Sequence, residues 1–186
     1  ADDSWSVSGS GAYEVDSSWV IRIRHAENCR VKGVSTYKPS DNSSNIHLLS
    51  NGIGVFQSRF VTIDSCSFEN PQYTGSGQNG VLAAIESNDI LVSRSRFAHG
   101  RHGLTFRHPW SNGNTVMQCR MEYSRYGNGF QGFLSMANLF DGCTLQEDYL
   151  ESVFLPSGNP AGGLASSQSV WYNTTGEAYH PNRSTL

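Results

Sequence analysis

One eight-residue pattern recurs along this chain and constrains its fold more than any other feature. Asn114-Thr115-Val116-Met117-Gln118-Cys119-Arg120-Met121 is followed 24 residues later by Asn138-Leu139-Phe140-Asp141-Gly142-Cys143-Thr144-Leu145. Upstream the same spacing appears as Ile90-x-Val92-x-x-Ser95-x-Phe97, as Val61-x-Ile63-x-x-Cys66-x-Phe68 and, more loosely, as Cys29-x-Val31-x-x-Val34-x-Thr36. A sixth copy, Ser169-x-Trp171-x-x-Thr174, closes the series. Apolar residues two apart share one face of a strand, and the three-residue step to the Cys position marks a bend. Each copy therefore reads as strand, corner, strand. So short a unit cannot bury its apolar face alone, so neighbouring copies must stack. The first five copies start at 29, 61, 90, 114 and 138, with steps of 32, 29, 24 and 24 residues. A minimum near 24 with variable additions predicts a solenoid whose loops are inserted at its corners.

On these repeats the chain resembles the right-handed parallel β-helix proteins, the pectate-lyase-like superfamily. The resemblance covers roughly residues 17–176 and speaks to fold more than to activity. It implies three parallel sheets wound around one axis, with ladders of like residues stacked inside. The ladders predicted here are Val31/Ile63/Val92/Val116/Phe140, then Val34/Cys66/Ser95/Cys119/Cys143, then Thr36/Phe68/Phe97/Met121/Leu145. A leucine-rich repeat is the nearest rival, but its Leu and Asn positions are missing. The expectation is an all-β, right-handed parallel β-helix of about six rungs forming a single domain over 1–186. Residues 1–16 and 177–186 read as irregular ends, and the chain reads as a fragment or a small member.

Composition agrees with that class. Hydrophobic content of 37%, 19 Gly and only 16% charged residues describe a loop-rich β protein. A net charge of −3 without a basic stripe argues against a nucleic-acid partner. No apolar run reaches the length that spans a bilayer. Three of the four cysteines fall on one inward ladder, where a thiol acts as a small hydrophobe. Cys119 and Cys143 lie on adjacent rungs, so a bridge between them is the alternative. Asn42-Ser43-Ser44, Asn173-Thr174-Thr175 and Asn182-Arg183-Ser184 fit a glycosylation acceptor pattern that arises easily by chance in so Ser- and Asn-rich a chain.

An Asn-Gly pair recurs as Asn51-Gly52, Asn79-Gly80 and Asn128-Gly129, with His102-Gly103 in the equivalent place. Recurring once per repeat, it reads as a corner where a left-handed residue turns the chain, with His102 the odd member of an asparagine column. The loops before these pairs are long at residues 37–50 and 69–78 but short at 98–101 and 122–127. Two walls beside two short corners predict a groove. On its floor lie Asn70, His99, Tyr123 and Glu147, one per rung and stacked at about 4.8 Å, with Arg101, His102, Arg125, Tyr126 and Asp148 crowding the same corner. His108 and Trp110 form a candidate sugar-stacking platform, whereas His25, His47 and His180 read as surface residues.

Three functional expectations follow. The resemblance implies a carbohydrate partner, most often an acidic polysaccharide, and a secreted, periplasmic or extracellular location. In a lyase, a base removes the proton beside the uronate carboxylate and a cation neutralises the enolate. His99 or His102 would be the base, Arg101 or Arg125 the cation, and Tyr123 or Tyr126 the proton donor. Asn70, Tyr126, Asp148, His108 and Trp110 would bind substrate. Calcium enters by resemblance only, since pectate lyases hold it with clustered Asp residues and this sequence has no such cluster. A glycoside hydrolase would need two carboxylates at a set separation, for which Glu122 and Glu147, or Glu147 and Asp148, are the candidates. Against both enzymes stands a non-catalytic β-helix that binds glycan or builds an adhesin or phage tailspike. In that case the polar corner is a solvated edge. A lyase would be a monomer, and a tailspike or adhesin piece a trimer or larger assembly.

Overall fold

The computed structural model describes residues 18–75, 79–130, 135–152, 170–172 and 175–179, with 151–152 and the last two segments as backbone. Every strand pairing in it is parallel. The chain climbs in turns of three strands. The first holds β1 (Trp19–Arg24) and β2 (Arg30–Lys32), with an isolated bridge at Ser35 in the third place. The next two are β3 (Asn51–Arg59), β4 (Thr62–Asp64), β5 (Ser67–Glu69) and β6 (Val81–Asn88), β7 (Leu91–Ser93), β8 (Arg96–Ala98). Then come β9 (His102–Phe106), β10 (Thr115–Met117), β11 (Arg120–Glu122) and β12 (Asn128–Phe130), β13 (Leu139–Asp141), β14 (Thr144–Ser152). A last turn continues through β15 (Val170–Tyr172) and β16 (Thr175–Tyr179).

These strands line three faces. One runs β1-β3-β6-β9-β12-β14, the second β2-β4-β7-β10-β13-β15, and the third β5-β8-β11-β14. Strand β14 belongs to two faces because it bends: Leu145 pairs with Met121 of β11, while Leu150 pairs with Asn128 of β12.

The predicted ladders are present in register. Val31, Ile63, Val92, Val116 and Phe140 are successive partners, as are Phe68, Phe97, Met121 and Leu145. Phe68 and Phe97 stack with rings 6.4 Å apart and 5° from parallel. The cysteines are free, and Cys66, Cys119 and Cys143 are buried. Each buried thiol donates to the carbonyl two residues before it, and Ser95 Oγ does the same to Ser93 on its own rung. Four of the five members of this ladder thus pair a small side chain with one donor, and the first rung has Val34 in its place. Its hydrogen bond with Cys143, and then burial, holds the Cys119 thiol protonated far above the ordinary range.

Each corner turns on a column of residues with positive φ. One column is Gly33, Ser65, Arg94, Gln118 and Gly142, and another is Asn28, Phe60, Asp89, Gly113 and Ala137. A third is Asn70, His99, Tyr123 and Glu147, with φ of 54, 59, 54 and 46°. The reading of the Asn-Gly pairs holds at two of them, where Gly80 and Gly129 have φ of 73 and 102°, and fails at Gly52 and Gly103; Asn51, His102 and Asn128 begin strands and do not have positive φ. Nor do they form one column. Val81 pairs with His102, whereas Asn128 Oδ1 accepts from the Leu104 backbone, two residues further along. The buried asparagines serve to satisfy backbone inside the coil, as where Asn51 Oδ1 accepts from Val81 N at 2.9 Å. Gly52 follows for a steric reason. A Cβ there would stand 2.2 Å from the Leu82 carbonyl oxygen, so Gly52→Ala is expected to cost about 2–3 kcal/mol in urea unfolding.

The sixth copy is present as Val170 to Tyr172 paired with β13; Thr174 lies outside the described residues. So do residues 1–16 and 180–186, with His180, the loop at 156–167 and the acceptor patterns at Asn173 and Asn182, whereas residues 177–179, expected as part of an irregular end, continue β16 beside β14. No helix among the described residues is long and apolar enough to cross a membrane.

Candidate functional site

The third corner column does stand as one line of side chains. Successive backbone bonds, Asn70 N to Ala98 O, His99 N to Glu122 O and Tyr123 N to Gln146 O, hold the rungs in register there. His99 and Tyr123 are exposed, with rings stacked 5.0 Å apart and 3° from parallel. Gln146 Nε2 donates to the Tyr123 hydroxyl at 2.6 Å, and Glu147 ends the column in solvent. Positive φ at His99 is not by itself a functional sign, because Arg94, Phe60 and Gln118 share it at the other corners.

The two long loops pair with each other through a Leu48–Pro71 bridge and form one side of this corner. Arg125 reaches that wall, Nη1 donating to Thr74 O at 3.1 Å and Gly75 O at 3.3 Å. Its guanidinium also lies 5.2 Å from the Tyr126 ring centre, and that of Arg101 lies 5.6 Å from the same ring. Tyr126 remains 41% exposed, with the His102 ring 5.7 Å away on its inner side. Many of the other arginines pair with carboxylates: Arg30 and Arg94 with Asp64, Arg59 with Glu27, Arg96 with Glu69 and Glu122, Arg107 with Glu86, Arg120 with Glu122. Among the described residues Arg125 forms no ion pair.

Other expected members are not on this surface. His102 is only 5% exposed, and its Nδ1 donates to Gly127 O at 2.7 Å. Burial lowers its pKa to about 4, against the pull of that carbonyl. It is a neutral residue inside the coil and cannot reach a substrate as base. Asp148 is likewise 5% exposed and accepts from Asn128 Nδ2 at 2.5 Å, Tyr149 N at 2.8 Å and Ser124 N at 3.2 Å. Burial raises its pKa despite these bonds. It holds a backbone corner and has no room for sugar. Glu122 fails as a hydrolase carboxylate because it is 3% exposed, one oxygen taking Arg96 at 2.7 Å and the other Arg120 at 2.6 Å.

His47 was expected at the surface, yet it is partly buried over the third face. Its ring lies 4.0 Å from Glu69, and its pKa is lowered by burial first, with Glu69 opposing. Nothing in the sequence marks this, because the loop alone decides where His47 falls. His108 and Trp110 lie apart from the corner, beyond the far end of β9. Five residues of strand separate the two places, about 13 Å from end to end.

Calcium, implied by resemblance, finds no donor set among the described residues. No group of three or more His, Cys, Asp or Glu among the described residues could hold a metal ion. The buried carboxylates Asp64 and Asp148 already accept from Arg30, Arg94 and Asn128.

Coiled parallel strands, three faces and stacked inner ladders define a β-solenoid whose polar work is done on its corners. Residues 19–180 match the family model described as right handed beta helix region. The chain belongs to that family, a class of carbohydrate-active or structural β-helices. No curated protein and no solved structure matches it.

Proposed function

We propose that the corner bearing His99, Arg101, Tyr123, Arg125 and Tyr126 binds an acidic polysaccharide. The observation that carries this reading is Tyr126, 41% exposed with the guanidinium groups of Arg125 and Arg101 at 5.2 and 5.6 Å from its ring centre. An aromatic face suits the C–H side of a pyranose ring, and a guanidinium suits its carboxylate. The stacked His99 and Tyr123 stand on the same two rungs and widen the strip. Repeated rungs present repeated contacts, which is how a solenoid meets a repeating polymer.

Affinity electrophoresis in gels cast with polygalacturonate, alginate or hyaluronan tests this, with dextran as the neutral control. Retardation is expected in at least one acidic gel and not in dextran. Tyr126→Ala and Arg125→Gln are each expected to weaken it about tenfold. Retardation unchanged in both variants would refute the placement.

A second reading, cleavage by β-elimination, is favoured by one contact. His99 and Tyr123 bring a base and a phenol together on adjacent rungs, beside the arginines. His99 would take the proton next to the carboxylate, Arg101 or Arg125 would neutralise the enolate, and Tyr123 would protonate the leaving oxygen. Near-ultraviolet absorbance of the unsaturated product separates this reading from binding alone. A signal present in the parent and absent in His99→Ala and Tyr123→Ala would establish it.

A further inference from the structure

At the opposite end of the first face, the ends of β1, β3 and β6 and the loop after β9 border an open cleft of about 490 Å³. It is bordered by His25, Glu27, Gln57, Arg59, Asn88 and Trp110, among others. That volume lies within the range of small-molecule sites, about 300–1,000 Å³. We propose that this cleft is a separate binding site for a neutral saccharide, a monosaccharide or disaccharide or the end of a glycan chain.

The platform is Trp110. His108 stacks on one face of its ring, 4.6 Å away and 11° from parallel, and His108 Nε2 lies 3.3 Å from Glu86. Anchored in that way, the indole still keeps 43% of its surface in solvent at the edge of the cleft. Its loop is tied to the coil, since Asn112 N donates to Asn88 Oδ1 and Ser111 Oγ to Ile85 O. A fixed, half-exposed indole suits the apolar face of a pyranose, with little ordering left to do on binding.

Charge selects a neutral ligand. Arg59 grips Glu27 through two contacts, Nε at 2.9 Å and Nη2 at 3.2 Å, so the cation and anion on that wall cancel. Glu86 behind the platform is faced by Arg107 and His108. What remains for a ligand is a mixture of donors and acceptors, from the Arg59–Glu27 pair, Gln57 and Asn88. Sugar hydroxyls both donate and accept, so they match such a wall, whereas a carboxylate would have to compete with Glu27 for Arg59. The chemistry differs from that of the Tyr126 corner, where the Arg125 guanidinium donates to the Thr74 and Gly75 carbonyls and lies near the Tyr126 ring. The two sites therefore take different ligands and stand or fall separately.

Saturation-transfer NMR and calorimetry with maltose, cellobiose and lactose test the cleft directly. At least one disaccharide is expected to bind saturably, with affinity about tenfold weaker in Trp110→Ala and measurably weaker in Glu27→Gln. Tyr126→Ala is expected to leave that binding unchanged, and Trp110→Ala to leave retardation by acidic polymer unchanged. Far-ultraviolet circular dichroism checks that each variant keeps the fold. No binding of any of the three sugars by the parent chain would overturn the proposal. So would binding that persists in Trp110→Ala or is lost in Tyr126→Ala.

Discussion

Acidification from pH 7 to pH 4 is expected to remove about 3 kcal/mol of folding stability through His102 alone. The imidazole is buried in the coil, and its pKa falls from an ordinary 6.5 to about 4 on folding. Above 6.5 the ring is neutral in both states and pH has no hold on it. Between 6.5 and about 4 the unfolded chain takes up a proton that the folded chain refuses, so stability is lost as pH falls. Below about 4 both states are protonated and the loss levels off. His47, also lowered, adds to the slope, while Asp148, raised by burial, opposes it by gaining its proton earlier in the folded state. Asp64 acts lower still. The Arg30 hydrogen bond first, together with Ser93, Ser65 and Arg94, holds its carboxyl at about 2, so its contribution is lost only between 3.8 and about 2. Because several groups share the curve, the decisive comparison is with His102→Asn, which removes this one titration. Urea unfolding at both pH values should show the parent losing about 3 kcal/mol more than the variant. Equal losses would mean that His102 titrates freely and is not buried as described.

A second large effect is expected in the core. Phe140→Ala should cost about 3–5 kcal/mol, a large share of the roughly 5–15 kcal/mol of a whole domain. Phe140 is fully buried on the second face and points across the coil, its ring 5.8 Å from Phe106 and 6.1 Å from Phe130, both nearly edge-on. Phe106 and Phe130 in turn stack at 5.3 Å on the first face. Removing the ring leaves a void between two faces that strand hydrogen bonds hold apart, so collapse into it is restricted. Phe140→Leu refills most of the space and should cost much less, while Tyr37→Ala on the surface should lie within about 0.5 kcal/mol of the parent. Thermal or urea unfolding of the three variants gives the order directly.

The ladders were legible before the structure because an inward strand position leaves no choice but an apolar side chain, and the same position recurs each turn. Val92, Val116 and Phe140 announce one another. Cys66, Ser95, Cys119 and Cys143 were legible for the same reason, a bend that carries a small residue on four of its five rungs. The corners were less so. An exposed strip and a buried polar ladder use the same vocabulary of Asn, His and Asp, and a shift of one residue exchanges them. His102 and Asp148 illustrate this: each lies within a few residues of an exposed member of the strip, yet each faces inward to satisfy backbone. Glu122 was misleading in another way, since one of the arginines that cover it, Arg96, comes from the rung before, while Arg120 comes from its own strand. His47 and Trp110 sit on inserted loops, whose path no repeat predicts.

Polygalacturonate and its carboxyl-reduced, neutral counterpart, titrated calorimetrically against Trp110→Ala protein so that only the corner is read, provide the most direct test of acidic-polysaccharide recognition. Binding is expected for the acidic polymer, about tenfold or more weaker once its carboxyls are reduced, and weakened to a similar extent when Arg101 and Arg125 are both changed to Gln. Equal affinity for the two polymers, or affinity for the acidic one that survives the double change, would contradict it.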